Sequence, residues 1–237
     1  MSLPAPELLT QPAAWLAPAR ARLLRQVGVA RRQRVLDLGC GSGAVTPELV
    51  RRAGGGVIAL DRAWQALAAD PAPFAGASRL GADAARLPFS AASLDLILAQ
   101  FALLWMPAEA VLDEVRRVLT PGGALIALEP DYGGLIEAPA ETALREIWLA
   151  ALARAGAEPL IGRRLPGWLA ARGFQVRVEL LPELAPAEAA RFDFLRDLPL
   201  TPAERAAVDT AAARDRGLAG WGRLAHLPVL LVTATRP

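Results

Sequence analysis

The sequence predicts a single α/β domain whose mostly parallel sheet is covered by helices on both faces. Short apolar runs with β-branched residues, typical of buried parallel strands, alternate with amphipathic helical patterns from residue 34 onward. The first run, VLDLGCGSG at residues 35–43, ends in three glycines at alternate positions and is followed at once by a helical pattern. A length of 237 residues suits one such domain with a modest addition, so we expect a single domain over residues 1–237.

The individual elements follow from local patterns along the chain. Residues 1–11 are punctuated by proline and predict an N-terminal segment without regular structure. Helices are predicted where apolar residues recur every three to four positions, at residues 12–27, 44–53, 62–69, 107–119, 139–155 and 186–216. Strands are predicted where short apolar runs lie between turn residues, at residues 34–38, 57–61, 78–80, 94–100, 124–130, 175–181 and 228–235.

The composition excludes several classes of protein. Cys40 is the only cysteine and His226 the only histidine, which rules out an intrachain disulfide and a cysteine-based zinc cluster, and we expect no metal site. No apolar run reaches the roughly 18 residues that a membrane-spanning helix needs, and the N-terminus lacks a signal-peptide pattern. We therefore expect a cytoplasmic protein without a membrane partner.

The basic residues of the chain are all arginines, and lysine and asparagine are absent. This bias suits a heat-adapted protein and equally a GC-rich genome, and both explanations stay open. The net charge is only +2, so the high isoelectric point does not indicate a basic surface.

One stretch before the first strand is strongly basic, since six arginines stand there against a single acid, Glu7. These are Arg20, Arg22, Arg25, Arg31, Arg32 and Arg34. They form either a solvated helix face and loop, or a contact for an anionic acceptor or RNA. No aromatic residues alternate with them, which favours the solvated face, and we expect no nucleic-acid partner.

The glycine run predicts a ligand site. Gly39, Gly41 and Gly43 permit backbone conformations closed to other residues and let a ligand approach main-chain N–H groups. A helix that begins near Gly43 points its N–H groups and the positive end of its dipole to the same place, which suits a nucleotide-like or carboxylate-bearing ligand. Gly39, Gly41 and Ala44 also satisfy the G-x-G-x-x-A pattern of NAD-binding proteins, so the glycines alone leave the ligand open.

This run resembles motif I of the class I S-adenosylmethionine (SAM) dependent methyltransferases, in which an acidic residue, here Asp37, lies two positions before the first glycine. A carboxylate at that position attracts the ammonium group of SAM and repels the pyrophosphate of NAD. The segment VRRVLTPGGALIALEP at residues 115–130 is a second resemblance, typical of the small-molecule, type 11 methyltransferases and absent from the NAD fingerprint. Residues 35–132 match this family in the order and spacing of its motifs.

The resemblance implies a Rossmann-like, doubly wound sheet of seven strands, parallel except for the last, which is inserted antiparallel between the fifth and the sixth. Residues 1–33 then form an N-terminal helical segment and residues 34–181 the SAM-binding core. Residues 182–226 form a helical cap insert over the acceptor pocket, and residues 227–237 hold the last strand.

The resemblance also implies a cofactor site for SAM, with S-adenosyl-L-homocysteine (SAH) as its product. Asp61 lies 22 residues after Gly39, the spacing at which an acid binds both ribose hydroxyls, and it also suits an N-cap of the helix at 62–69. Asp83 is expected to accept a hydrogen bond from the adenine amino group. The expected cofactor-binding residues are Asp37, Gly39, Cys40, Gly41, Gly43, Asp61, Arg62, Asp83, Ala84, Gln100 and Phe101.

Two further expectations concern single residues near the cofactor. Cys40 is either a reactive thiol at a helix N-terminus or a small residue that fits the turn, and the second interpretation is favoured. One arginine of the basic stretch is a candidate partner for the cofactor carboxylate.

The predicted function is transfer of a methyl group from SAM to a small, partly apolar acceptor molecule. Because the sulfonium makes the methyl group electrophilic, the protein mainly aligns the reactants and excludes water. Asp131 and His226 are candidate general bases, with a structural role as the alternative for His226, and a nucleophilic carbon or amine acceptor needs no base. An NAD-dependent oxidoreductase and a SAM-binding module without catalysis remain as alternatives.

The nature of the acceptor is inferred from the insert. It contains Phe192, Phe194 and Trp221 in a charge-balanced segment, which favours a mostly apolar pocket at the carboxyl ends of the fourth and fifth strands.

Overall fold

The computed structural model describes residues 13–181 and 190–237. The N-terminal segment predicted at 1–11, the first residue of the helix predicted at 12–27 and the beginning of the insert at 182–189 lie outside the described residues. No helix among the described residues combines the length and the apolar character needed to cross a membrane.

A seven-stranded sheet forms the centre of the molecule. Its strands are β1 Arg34–Leu38, β2 Gly56–Asp61, β3 Ala77–Gly81, β4 Leu94–Gln100, β5 Leu119–Pro130, β7 Gln175–Leu180 and β9 Val229–Thr235. The strand order is β3-β2-β1-β4-β5-β9-β7. Neighbours from β3 to β5 are parallel, whereas β9 is antiparallel to both β5 and β7. The predicted sheet, with the last strand inserted antiparallel, is therefore confirmed.

Helices cover both faces of this sheet, as a doubly wound fold requires. They are α1 Ala17–Gln26, α2 Thr46–Arg52, α3 Trp64–Ala69, α4 Ala108–Val118, α5 Arg145–Arg154, α6 Ile161–Ala171, α7 Ala190–Asp197 and α8 Pro202–Asp215. Successive strand residues point to opposite faces. Val35 and Leu96 belong to the core cluster that includes buried leucines of α1 and α2, while Leu36 and Ile97 belong to the cluster that includes α4 and α6.

Two predicted boundaries differ from the structure near the motifs. The helix expected from residue 44 begins at Thr46, because Gly43 has a φ of +84°, which is not helical, and Pro47 favours the first helical turn. The fifth strand, expected at 124–130, already begins at Leu119. Its start contains a bulge. Leu119 pairs with Leu94, but the next pair is Ala124 with Leu96, so five residues of β5 advance against two of β4.

The segment after β5 contains strands that the periodicity did not predict. The helix expected at 139–155 begins only at Arg145, because Ile136–Ala138 forms a short strand, β6. β6 pairs antiparallel with β8, Leu224–His226, which lies in the insert. Residues 182–226 thus carry the helices α7 and α8 and, in addition, the short strand β8.

Contacts between distant segments hold the insert together and join it to the core. The carboxylate of Asp215, buried on α8, pairs with Arg191 at 2.7 Å and with Arg223 at 2.8 Å. The ring of Trp148 on α5 stacks against Tyr132 after β5 and against Phe194 on α7, with centroids 5.3 and 5.7 Å apart. This three-ring stack makes the boundary between sheet and insert apolar.

Candidate functional site

The glycine turn between β1 and α2 requires glycine at each of its three alternate positions. Gly39, Gly41 and Gly43 have φ values of +71°, +53° and +84°, in the left-handed region that other residues rarely adopt. A Cβ atom on Gly39 would lie 2.7 Å from the side chains of Ala102 and Met106, so this glycine also permits close packing. A Cβ atom on Gly41 would meet nothing within 4 Å, and the turn is therefore open to a ligand at that point.

The backbone N–H groups of this turn are already bonded within the protein. Gly39 and Cys40 donate to the carbonyl of Leu60 at 2.8 and 3.1 Å, and the third glycine donates to the carbonyl of Cys40 at 2.9 Å. Gly41 donates to Asp61 Oδ2 at 2.9 Å. The expectation that these N–H groups, together with a helix start at Gly43, face the ligand is thus corrected. Space for a ligand remains beside Gly41. The N–H groups of Gly39, Cys40 and Gly41 instead bind Leu60 and Asp61 at the end of β2.

Asp37 lies beneath the turn and is almost completely buried. Its Oδ2 accepts a hydrogen bond from the Thr46 hydroxyl at 2.7 Å. Burial raises the pKa of Asp37 to about 6, although the Thr46 hydrogen bond and the positive charge of Arg20 act in the opposite direction. The same burial, with the charges of Asp37 and Asp61, raises the pKa of the Cys40 thiol. A raised pKa disfavours the thiolate, so Cys40 fits the turn as a small residue and is not an activated nucleophile.

Asp61 joins the glycine turn to the segment that follows β2. Its Oδ2 binds the N–H of Gly41, and its Oδ1 accepts from the N–H of Ala63 at 2.8 Å. The N-cap of α3 is Ala63, so the expected N-cap role of Asp61 is wrong. Each carboxylate oxygen has a second lone pair, so Asp61 can accept further hydrogen bonds while keeping both of these.

Asp83 lies near Asp61 along the same edge of the sheet. Asp61 is paired with Gly81 in the parallel register of β2 and β3, and Asp83 follows two residues later. The Asp83 side chain is exposed, and its Oδ1 accepts from the N–H of Ala85 at 2.9 Å, which leaves Oδ2 for other donors. Ala84 beside it is buried, and Arg62 after Asp61 is exposed.

Gln100 and Phe101 end β4 on the other side of the glycine turn. Gln100 Oε1 accepts from Arg20 Nη1 at 2.7 Å. Because an arginine only donates, this bond fixes which end of the Gln100 amide faces Arg20. Arg20, the candidate for the cofactor carboxylate, is itself buried and paired with Glu48 at 2.7 Å. Its charge is thus already compensated inside the protein. Phe101 has a φ of +51°, a strained conformation for an aromatic residue.

The prediction from sequence missed Glu129, which is fully buried near the end of β5. Its Oε1 accepts from the N–H groups of Ala102 and Leu103 at 3.1 and 2.9 Å. Burial raises the pKa of Glu129 to about 7, against the effect of the N–H donors. The available signal was an acidic residue inside the otherwise apolar run ALIALEP.

The two candidate bases, Asp131 and His226, lie after β5 and on β8. Asp131, just after β5, accepts from Arg163 Nε at 2.8 and 2.9 Å, and its N–H donates to the carbonyl of Pro228. His226 lies two residues before Pro228, on β8, and is buried. Burial lowers the pKa of His226, because a charged imidazole loses hydration there. Among residues 13–181 and 190–237, no His, Cys, Asp and Glu side chains are grouped to hold a metal ion.

A cavity of about 320 Å³ lies beside this region. It is lined by residues after β5 and at the start of α5, namely Leu135, Glu137, Ala143, Leu144, Arg145, Glu146 and Ile147. None of them belongs to the expected cofactor set.

Comparisons with known sequences match part of the core to a methyltransferase domain. Residues 36–127 match the methyltransferase domain family. The chain is 37% identical over 111 residues to an uncharacterized methyltransferase of Mycobacterium tuberculosis, covering 47% of this chain and 41% of that protein. It is 34% identical over 154 residues to the trans-aconitate 2-methyltransferase of Methylobacterium nodulans, covering 64% and 55%. The chain thus spans about two fifths to a little over half the length of these relatives.

Solved structures share the fold at low sequence identity. The YcgJ protein of Bacillus subtilis has a TM-score of 0.66 at 16% identity, covering 91% of this chain and 97% of that one. Geranyl diphosphate C-methyltransferase of Streptomyces coelicolor, solved with Mg²⁺, geranyl diphosphate and SAH, has a TM-score of 0.58 at 16% identity, covering 93% and 78%. The motif order, the strand order and these matches agree: residues 36–127 are similar to methyltransferase domains, and the sheet has the fold of a solved methyltransferase.

Proposed function

We propose that this protein binds SAM at the carboxyl ends of β1 to β4 and transfers its methyl group to a small, partly apolar acceptor. The observation that carries the proposal is the arrangement of Asp37, Asp61 and Asp83 around a glycine turn that is open at Gly41. The corresponding edge of an open α/β sheet is where ligands bind in this class of fold.

The charges around the turn suit SAM better than a dinucleotide. SAM brings a sulfonium and an ammonium group, which the three aspartates attract, whereas the pyrophosphate of NAD would be repelled by them. Asp61 keeps free lone pairs for the ribose hydroxyls, and Asp83 keeps Oδ2 for the adenine amino group. The antiparallel β9 between β5 and β7 is also the topology expected for a methyltransferase rather than for an NAD-binding domain.

Bound SAM supplies an electrophilic methyl group, so the chain has to align the acceptor with it and exclude water. The segment from Gln100 to Met106 forms a wall that packs against Gly39 through Ala102 and Met106. The three-ring stack of Tyr132, Trp148 and Phe194 is packed between sheet and insert and makes this contact apolar. The cavity after β5 combines apolar residues such as Leu135, Leu144 and Ile147 with charged ones, which supports a partly apolar acceptor.

For an oxygen or nitrogen acceptor that must lose a proton, we favour His226 over Asp131 as the base. The lowered pKa of His226 keeps its imidazole neutral at neutral pH, and a neutral imidazole can accept a proton. Asp131 is engaged by Arg163 through both carboxylate oxygens. The name of one relative, trans-aconitate 2-methyltransferase, supports a small-molecule acceptor.

Ligand binding is tested by thermal unfolding of the purified protein with SAM, SAH or NAD, since a ligand that binds the folded state raises stability by about RT ln(1 + [L]/Kd). We expect stabilisation by SAM and SAH and none by NAD. Stabilisation by NAD alone would instead indicate the oxidoreductase.

Methyl transfer is tested with radiolabelled SAM and a fractionated metabolite extract. Label appearing in a small molecule supports the enzyme and identifies its acceptor. Tight binding of SAH without any labelled product would indicate a SAM-binding module.

A further inference from the structure

Glu129 is a buried acid to which the proposed methyl transfer assigns no part. Its side chain is fully buried near the carboxyl end of β5. One oxygen, Oε1, receives the N–H groups of Ala102 and Leu103, while Oε2 has no hydrogen-bond partner among the described residues. Burying a carboxyl group is costly even though the N–H groups of residues 102–104 favour its charged form, and this cost points to a specific role for Glu129.

The N–H groups that Glu129 binds belong to a strained turn. Phe101 has a φ of +51°, and residues Leu103–Trp105 follow it as a single 3-10 turn. Such a conformation persists only where surrounding contacts impose it. The carboxylate provides that constraint, since it gives an acceptor to two successive N–H groups at the start of the 3-10 turn.

The same turn is packed directly against the glycine turn of the proposed cofactor site. A Cβ atom added to Gly39 would lie 2.7 Å from Ala102 Cβ and 2.7 Å from Met106 Cε, which leaves no space between the two segments. A shift of the turn at Ala102 would therefore change the wall beside Gly39. Glu129 itself lies behind this wall and is shielded from any ligand.

The other charged groups near Glu129 are engaged elsewhere. Asp131, two residues along β5, is paired with Arg163 of α6. Glu158, whose N–H binds the carbonyl of Leu104, pairs through its side chain with Arg164 of α6. β4 ends in the neutral Gln100, and β9 places Leu230 opposite Glu129. The partners of the Glu129 carboxylate are therefore the backbone N–H groups of Ala102 and Leu103.

We propose that Glu129 is a positioning residue that holds the turn 101–105 against Gly39 and thereby shapes the cofactor side of the glycine turn. The effect on the cofactor rests on the proposed function, because it requires that SAM binds beside Gly39. The effect on the turn rests only on contacts within the protein. It assigns no contact between Glu129 and substrate or cofactor.

The test compares two substitutions at Glu129 with a matched control. Glu129→Gln keeps an oxygen that accepts from both N–H groups, whereas Glu129→Leu keeps a comparable volume without any acceptor. Asp95→Leu is the control, because Asp95 accepts the N–H groups of Gln33 and Arg34 at 2.6 and 3.1 Å at the opposite end of β4. It removes the same kind of contact far from the glycine turn.

Two measurements are made on each full-length variant well below its unfolding temperature. Amide hydrogen exchange of a peptide spanning residues 101–106 reports on the turn, and calorimetric titration with SAH reports on the cofactor site. In Glu129→Leu we expect faster exchange in this peptide and SAH binding weakened about tenfold or more, since two buried N–H groups lose their acceptor. Glu129→Gln is expected to stay within about threefold of the wild-type affinity for SAH, because its acceptor oxygen remains.

The control variant and the ligand-free measurement separate the possible failures. Asp95→Leu should speed exchange near residues 33–34 and leave the SAH affinity unchanged. Equal weakening of SAH in Asp95→Leu and Glu129→Leu would overturn the proposal, as would unchanged exchange at 101–106 in Glu129→Leu or a failure of Glu129→Gln to restore binding. If the wild-type protein does not bind SAH at all, the proposed function fails, while hydrogen exchange still decides whether Glu129 holds the turn.

Discussion

The two sides of the sheet's carboxyl edge are built in different ways. The proposed cofactor site at the ends of β1 to β4, here called the cofactor side, depends on short-range features such as positive φ angles at glycines and carboxylates at or near strand ends. The proposed acceptor site at the end of β5, α5, α7 and the β6–β8 pair, here called the acceptor side, depends on contacts between segments far apart in the chain. Ile136 pairs with His226, and Trp148 stacks on Phe194.

This difference indicates where variation is tolerated. On the cofactor side each feature is fixed by backbone geometry, and a substitution there should affect SAM binding whatever the acceptor. On the acceptor side, side-chain packing defines the pocket, so substitutions should change methyl transfer and leave SAM binding intact. If substitutions on the acceptor side also weakened SAM binding, the two sides would form one site.

The largest effect is expected at His226 on the acceptor side. His226→Gln should lower kcat about 100-fold or more if the imidazole accepts a proton from the acceptor. The affinity for SAH should not change, because no cofactor-side residue is altered. Steady-state kinetics and SAH titration measure the two quantities. In the wild type, activity should fall as the pH drops through the lowered pKa of His226, below its usual 6.5, and this step should be missing in the variant.

Asp131→Asn is the matched control for that prediction. Its carboxylate is paired with Arg163, so we expect lower stability rather than a comparable loss of kcat. A larger loss of kcat in Asp131→Asn than in His226→Gln would reverse the assignment of the base.

On the cofactor side, the strongest structural effect is expected at Gly39. Gly39→Ala combines an unfavourable left-handed φ with a Cβ atom 2.7 Å from Ala102 and Met106. The free energy of unfolding should fall by about 2–4 kcal/mol, as the sum of backbone strain and overpacking. Gly122→Ala is the control, because Gly122 has a φ of +74° but no atom within 4 Å of a new Cβ, and it should lose only about 1–2 kcal/mol. Urea unfolding measures both; equal losses would mean that Gly39 is not tightly packed.

A smaller effect is expected at Asp61, and it concerns affinity. Asp61→Ala should weaken SAM and SAH by about one to two orders of magnitude through the loss of one or two charge-assisted hydrogen bonds. Asp70→Ala serves as the control, since Asp70 makes a similar local bond to the N–H of Ala72 at 2.9 Å and belongs to no expected site. Calorimetric titration gives both affinities, and unchanged binding in Asp61→Ala would place the ribose elsewhere.

The smallest effect is a pH dependence of stability that arises at Glu129, where the two sides meet. Its pKa is about 7 in the folded protein and near the ordinary 4.5 when unfolded. Between these values the folded state binds more protons, so its stability falls as the pH rises from about 4.5 to 7 and then levels off. Glu129→Gln removes this dependence, and its advantage over the wild type should grow across the same range to at most about 3 kcal/mol.

Urea unfolding at several pH values measures that difference. The raised pKa of Asp37 contributes a similar slope in both proteins and cancels from the comparison. A difference that stays constant with pH would show that Glu129 does not titrate in this range.

Local patterns predicted much of the cofactor side. The strand at 34–38 agrees residue for residue with β1, and the three glycines are the residue type that permits the positive φ angles of the turn. Asp61 was placed correctly at the end of β2 because strand end and motif spacing coincide. The N-cap expected at Asp61 was wrong, because its carboxylate is shared between Gly41, twenty positions earlier, and Ala63.

The sequence by itself determined the fold class, the glycine turn and the acids around it, because these depend on the conformational preferences and periodicity of neighbouring residues. The tertiary structure decided how Arg20 is neutralised, how Asp131 is paired, which N–H groups Glu129 receives and that β8 joins β6. These contacts join residues from 26 to 90 positions apart, and their formation depends on the packing of the whole sheet and its helices. A local pattern carries no information about such partners, which is why the cofactor side was predicted more fully than the acceptor side.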